Sequence, residues 1–205
     1  MQFGTMDLIF SDFSGLEGSC CYCSEETARE MRRRISRLPL EAVHYIGTGD
    51  YHYQTLFRLE RIERPFGLLL IDNHPDDQPG AFGQELLSCG NWVLHARRLP
   101  FLHWYGWVRR AADYRGLSPE EGLPLYLSID MDALSEDYAR TGWDQGDMKL
   151  DELTGILSDL VRRCGGGKGI IGADICGGIT PGDGSGADME LNRRTVETIA
   201  AALDF

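Results

Sequence analysis

Basic residues are scarce in this 205-residue chain: 20 Lys and Arg stand against 32 Asp and Glu, for a net charge of −12. That balance excludes the basic footprint of a nucleic-acid binder and argues against an anionic membrane surface as partner. Long hydrophobic runs are missing too. The longest, around Phe66 to Ile71, has the length of a strand, well short of the roughly 18 residues of a membrane span. Met1 to Phe10 carries neither a basic region nor a long apolar core, so no secretory signal is expected and the cytoplasm is the expected compartment. Pro- or Ser-rich linkers, internal repeats and low-complexity tracts are also wanting, and 1–205 reads as one domain. The six cysteines lack the pattern of a stapled or zinc-bound scaffold. Cys20, Cys21 and Cys23 are crowded, Cys89, Cys164 and Cys176 are isolated, and no second CxxC-type pair exists. Reduced thiols are expected.

What remains is ordinary globular composition, 42% hydrophobic with 25 glycines. Strand and helix signals alternate. Expected strands are Asp7–Phe10, Ala42–Gly47, Gly67–Asp72, Pro124–Asp130 and Gly169–Asp174, nearly continuous apolar runs of the kind buried on both faces of a parallel sheet. Expected helices are Glu25–Arg37, Tyr51–Arg61, Trp104–Tyr114, Leu150–Arg163 and Met189–Leu203. Ser24 reads as an N-cap, and Cys164-Gly165 as a helix stop. The order predicts an α/β fold whose site gathers at the carboxyl ends of the strands.

Three strands run into acidic or histidine-bearing ends: Gly47-Thr48-Gly49-Asp50-Tyr51-His52, Asp72-Asn73-His74-Pro75-Asp76-Asp77 and Ser128-Ile129-Asp130-Met131-Asp132. In extended chain, residues i and i+2 share a face. Asp130 and Asp132 then point one way, as do Asp72 and His74 if the strand continues that far. Like charges pressed together and partly buried need a compensating cation. His52, Asp72, His74, Asp76, Asp130 and Asp132 supply four carboxylates and two imidazoles, which balance two divalent ions with a bridging water or hydroxide between them. Oxygen-rich ligation with imidazole and no thiolate suits Mn²⁺. Two such ions sharing a water form a hydrolytic centre.

These segments resemble the arginase–agmatinase (ureohydrolase) superfamily. Gly49-Asp50-Tyr51-His52 is similar to its GGDH segment with one residue inserted, Asp72-Asn73-His74-Pro75-Asp76 to its DAHxD segment, and Ser128-Ile129-Asp130-Met131-Asp132 to its SxDxD segment. Trp143–Met148 stands at the family's Pro-Gly-Gly loop, and Gly172-Ala173-Asp174-Ile175 at the strand closing the site. The resemblance implies a three-layer α/β/α fold with a central, mostly parallel sheet and a site for two Mn²⁺ ions. It implies His52, Asp72, His74, Asp76, Asp130 and Asp132 as metal ligands, with Asp72 and Asp130 as bridges; Asp50, two residues before His52, is expected to support that ring. The implied reaction is hydrolysis of a non-peptide C–N bond in a small guanidino or amidino compound, by attack of a metal-bridging hydroxide, with Asp76 taking the released proton. Family members often form closed rings, and a homo-oligomer stays open here.

The chain departs from that pattern in two places. Cys89 stands where the family's proton-transfer His is found. Cys176, Gly177 and Gly178 stand where a glutamate holds the guanidinium. A guanidinium without that carboxylate is uncompensated, which argues against arginine-like substrates. A rival reading follows from Cys89 and Gly177: a metal-binding or regulatory module of the same fold whose chemistry has lapsed. Weaker signals read as structure. Gly165–Gly169 follows a helix and enters a strand, so it is expected as a turn, not a phosphate loop. Gly182–Ala187 fits GxGxxA, but Asp183 and Asp188 would repel a pyrophosphate, and a rim loop over the site is expected instead. His44 is expected as a satisfied interior residue, and His95 and His103 are the remaining candidates for a proton shuttle.

Overall fold

Every residue of Phe66–Ile71 is buried, as a strand covered on both faces requires. The computed structural model describes residues 6–80, 86–164 and 169–203. In chain order its strands are β1 (Leu8–Phe10), β2 (Tyr22–Cys23), β3 (Val43–Tyr45), β4 (Phe66–Ile71), β5 (Leu87–Ser88), β6 (Leu102–Val108), β7 (Leu125–Asp130) and β8 (Ile170–Cys176). Its helices are α1 (Glu25–Ile35), α2 (Gln54–Leu59), α3 (Trp92–Ala96), α4 (Ala111–Tyr114), α5 (Leu150–Arg163) and α6 (Gly186–Ala201). Six strands form one sheet in the order β1-β3-β8-β7-β4-β6, and all pairings in it are parallel.

Side-chain alternation sorts the sheet into two faces. Leu69, Ile71, Leu127 and Ile129 belong to a cluster with Leu153, Leu157 and Leu160 of α5 and Val196 and Ile199 of α6. Leu68, Leu70 and Tyr126 belong to another, with Met31 and Ile35 of α1, Phe57 of α2 and Trp92 of α3. The result is the three-layer α/β/α architecture with a parallel sheet. Helix ends follow their sequence signals. The Ser24 hydroxyl accepts from Thr27 N at 3.2 Å to start α1, and basic Arg32, Arg33 and Arg34 end it against the helix dipole. Ser185 and Asp188 cap α6 reciprocally.

One expected helix is a strand. Trp104–Tyr114 is extended through Val108, pairing Leu68 with Tyr105 and Leu70 with Trp107, and only Ala111–Tyr114 is helical. Trp104, Tyr105, Trp107 and Val108 are aromatic or β-branched and suit an edge strand packed on β4. The expected helix Tyr51–Arg61 divides into a 3₁₀ turn, Gly49–Tyr51, and the shorter α2. The antiparallel pair β2–β5 and the short α3 carried no sequence signal strong enough to predict. Cys164 ends α5 as expected; residues 165–168 of the expected glycine turn lie outside the described residues. Among the described residues no helix is long and apolar enough to cross a membrane. Because the sheet is parallel, β3, β4, β7 and β8 open at one edge, where α/β folds place their sites.

Candidate metal centre

Alternation carries three acidic side chains to that edge on the α1–α3 side. Along β4, Leu68 and Leu70 lead to Asp72; along β7, Tyr126 and Ser128 lead to Asp130. On β8, Asp174 and Cys176 pair in register with Ser128 and Asp130. Turns, not continued strands, bring in the next candidate ligands. Asp72 Oδ1 accepts from His74 N at 2.6 Å, and Asp130 Oδ1 accepts from Asp132 N at 2.9 Å within a 3₁₀ turn, Met131–Ala133. The extended i, i+2 geometry therefore gives the right facing for a different reason: each leading carboxylate folds the chain behind it. The residue inserted before His52 is absorbed by the 3₁₀ turn, in which His52 N donates to Gly49 O at 3.0 Å. His52 ends 1% exposed at the middle of the site.

All six sequence-predicted residues converge. His52 Nδ1 lies 3.3 Å from Asp72 Oδ2, 3.0 Å from Asp76 Oδ2 and 3.5 Å from Asp130 Oδ2. His74 Nδ1 lies 2.8 Å from Asp132 Oδ2 and 3.7 Å from Asp72 Oδ1. The donor atoms of His52, Asp72 and Asp76 fall within 4.8 Å of one another, as do those of Asp72, His74 and Asp132. Asp72 belongs to both groups. Asp76 holds its place with a left-handed backbone, φ 46°, an uncommon conformation for a non-glycine residue and one that concentrates at functional sites.

Beneath these groups lies a hydrogen-bonded floor. Asp174 is buried and accepts from Ser128 Oγ at 2.7 Å, Thr55 Oγ1 at 3.0 Å and Tyr126 OH at 2.9 Å. Since the Ser128 hydroxyl gives its proton to Asp174, it accepts from His52 Nε2 at 2.8 Å, which leaves the Nδ1 side of the ring for the carboxylates. Trp92 Nε1 donates to Asp76 Oδ2 at 2.6 Å, and Asn73 N to Asp132 Oδ1 at 3.0 Å. Ser128 and Asp174 were legible within quoted motifs; Thr55 and Trp92 were not, because nothing in their local sequence ties them to a distant carboxylate. Asp50 does not support His52. It accepts instead from Trp143 Nε1 at 3.2 Å and the Cys21 thiol at 3.4 Å, because the 3₁₀ turn swings it toward the rim.

Crowding and burial raise the proton affinity of these groups. Burial raises the pKa of Asp72 and of Asp76. Burial, then the neighbouring Asp132, pushes Asp130 up to about 6; burial, then Asp72, does the same to Asp132. Hydrogen bonding to Asp132 and then Asp72 lifts His74 to about 10. Four crowded carboxylates and two imidazoles form an oxygen-rich set that fits hard or borderline divalent cations.

A cavity of about 320 Å³ opens over the carboxylates, lined also by Gln78, Cys89, Gly90, Gly49, Trp143 and Asp144. Cys89 thus stands at the wall, whereas His95 and His103 do not line the cavity. His44 is interior, its Nε2 2.9 Å from Pro39 O. The Gly182 loop does not line the cavity either, contrary to the expected rim; it turns into the N-cap of α6. Gly177 has φ 88°, and a Cβ there would overlap Asp130 Oδ1 and stand 2.8 Å from Met131 N, so no side chain fits. Another cavity, of about 390 Å³ between β1 and α6, contains none of the six residues.

No protein-family model matches the chain. An uncharacterized protein of Thermotoga maritima is 34% identical over 152 residues, which cover 68% of this chain and 59% of the relative, so the match spans less than two thirds of that relative's length. Among solved structures, proclavaminate amidino hydrolase from Streptomyces clavuligerus is similar with a TM-score of 0.65 at 17% identity, over 88% of this chain and 69% of that one. The agmatine ureohydrolase of Thermoplasma volcanium gives 0.57 at 14% identity, over 85% and 66%. Formiminoglutamase from Trypanosoma cruzi, solved with Mn²⁺, gives 0.54 at 11% identity, over 88% and 73%. At these identities the likeness is one of architecture, and the architecture is plain: this chain has the arginase/ureohydrolase fold.

Proposed function

We propose that the chain is a short, divergent ureohydrolase-type enzyme that uses two Mn²⁺ ions to hydrolyse a non-peptide C–N bond in a small guanidino or amidino compound. The observation that supports this most is the sharing of Asp72 between two donor groups, His52–Asp72–Asp76 and Asp72–His74–Asp132, with Asp130 3.5 Å from His52. Divalent cations there would supply Lewis acidity, lowering the pKa of water and stabilising the charge that develops on the heteroatoms as the planar carbon becomes tetrahedral.

The chain's own residues do the rest. His52, Asp72, Asp76 and Asp130 would hold one cation, and Asp72, His74 and Asp132 the other. Ser128 and Asp174 keep the His52 ring turned toward the site. Asp76, anchored by Trp92 and facing the cavity, takes the proton released in the attack. The cavity admits a small compound, and neither Gly177, where no side chain fits, nor Gly178 can supply the carboxylate a guanidinium would need. The test is turnover: Mn²⁺-loaded protein is offered guanidino, formimino and amide compounds while urea and ammonia are measured. Release of either, abolished by chelation, is expected.

Gly177 and Cys89 favour a second reading, a cation-binding or regulatory module without turnover. Stoichiometric metal with no product from any compound would select it.

A further inference from the structure

Strand β8 ends in a thiol that the proposed reaction does not use. Its register with β7 pairs Cys176 with Asp130, and Cys176 Sγ lies 3.0 Å from Asp130 Oδ2, the same oxygen that stands 3.5 Å from His52 Nδ1. The donor atoms of His52, Asp130 and Cys176 fall within 4.8 Å of one another, and all three residues are buried. The next residue shows why the sulfur faces inward. Gly177 turns away with a positive φ and has no room for a side chain, so Cys176 is the last side chain of β8 to reach the site. A buried thiol whose only role is to donate to a carboxylate makes a weak hydrogen bond. A thiolate beside an imidazole and a carboxylate is instead a ligand set for borderline cations.

We propose that Cys176 is a further metal ligand, joining His52, Asp72, Asp76 and Asp130 as a thiolate, and that it gives this half of the centre a preference for thiophilic divalent cations such as Co²⁺ or Zn²⁺. The other half, at Asp72, His74 and Asp132, keeps only oxygen and nitrogen donors. On coordination the S–H bond breaks, its electron pair stays on sulfur and the proton leaves to solvent. This inference rests on the reading of the site as a cation centre and departs from it only in the ligand count and in the metal preferred at one position.

Co²⁺ titration of the full chain, freed of metal by chelation, tests it. Absorbance follows the near-ultraviolet thiolate-to-Co²⁺ charge-transfer band, and elemental analysis counts bound metal in parallel. The wild type is expected to develop the band. Cys176→Ser is expected to lose it, to keep Mn²⁺ binding, and to lose about 10-fold or more of its preference for Zn²⁺ over Mn²⁺. Cys89→Ser and Cys21→Ser are expected to keep the band. Independently of any variant, X-ray absorption of the Zn²⁺-loaded wild type is expected to find sulfur at about 2.3 Å from zinc. Bound Co²⁺ without the band, a band that survives Cys176→Ser, or zinc without a sulfur neighbour would each overturn the proposal and leave the cation centre standing. Failure of the wild type to bind any divalent cation would overturn both.

Discussion

Asp72 stands between the two histidines, with Oδ2 3.3 Å from His52 Nδ1 and Oδ1 3.7 Å from His74 Nδ1. A carboxylate that divides its oxygens in this way couples the two halves of the site. Asp72→Asn is therefore expected to weaken both cation positions by more than the roughly 10–100-fold typical of residues that merely support a ligand. Asp132→Asn is expected to weaken one. Equilibrium dialysis with elemental analysis reads the difference, and equal losses in the two variants would contradict the division.

Ser128 and Asp174 contribute through His52. Ser128→Ala leaves the buried His52 Nε2–H without its acceptor, at a cost of about 1–3 kcal/mol, and frees the ring to rotate. Its Mn²⁺ affinity is expected to fall about 10–100-fold while the fold persists, with Ser128→Thr restoring part of the loss. Circular dichroism and metal titration together check this; unchanged affinity in Ser128→Ala would show that the floor does not orient the ring.

Gly177→Glu replaces the missing glutamate in sequence only. The new Cβ overlaps Asp130, and the positive φ is strained for any side chain, together worth about 1–3 kcal/mol or more. A lower melting temperature and reduced metal content are expected, with no gain in hydrolysis of arginine-like compounds. A stable variant that gains this activity would contradict the geometry.

Asp130 and Asp132 contribute to the pH dependence, alongside the raised Asp72 and Asp76. The first two rise from 3.8 to about 6 on folding, so the folded state binds protons more readily than the unfolded chain. Their contribution to stability is complete below about pH 4 and is lost as pH rises through about 6. Cations counter the repulsion that appears there and bind only the deprotonated groups. The difference in melting temperature between Mn²⁺-loaded and chelated protein is thus expected to grow between pH 5 and pH 7, and a difference that shrinks over that range would contradict this account.

The six candidate ligands were legible because their signal is local: each ends or follows a short apolar strand, and a parallel sheet delivers all such carboxyl ends to one edge. β4, β7 and β8 announced themselves by continuous burial. The edge strand β6 did not, since Trp104, Tyr105 and Trp107 satisfy a helical count of apolar residues as easily as a strand's, and only pairing with β4 decides between them. Asp50 was misjudged for a related reason. Its direction depends on the 3₁₀ turn at Gly49–Tyr51, which no residue spacing reveals. Cys176 is close to Asp130 only through the β7–β8 register, a relation between strands 46 residues apart.

The turn at Gly49–Tyr51 has a consequence for recognising proteins of this kind. It lengthens the chain by a residue between glycine and histidine, yet the imidazole still reaches the carboxylates, because sheet and floor fix where the ring must lie. Letter-by-letter comparison registers that extra tyrosine as a broken signature. Matching the spatial arrangement of the converging side chains is insensitive to such an insertion, and distant kin with further insertions are best sought that way.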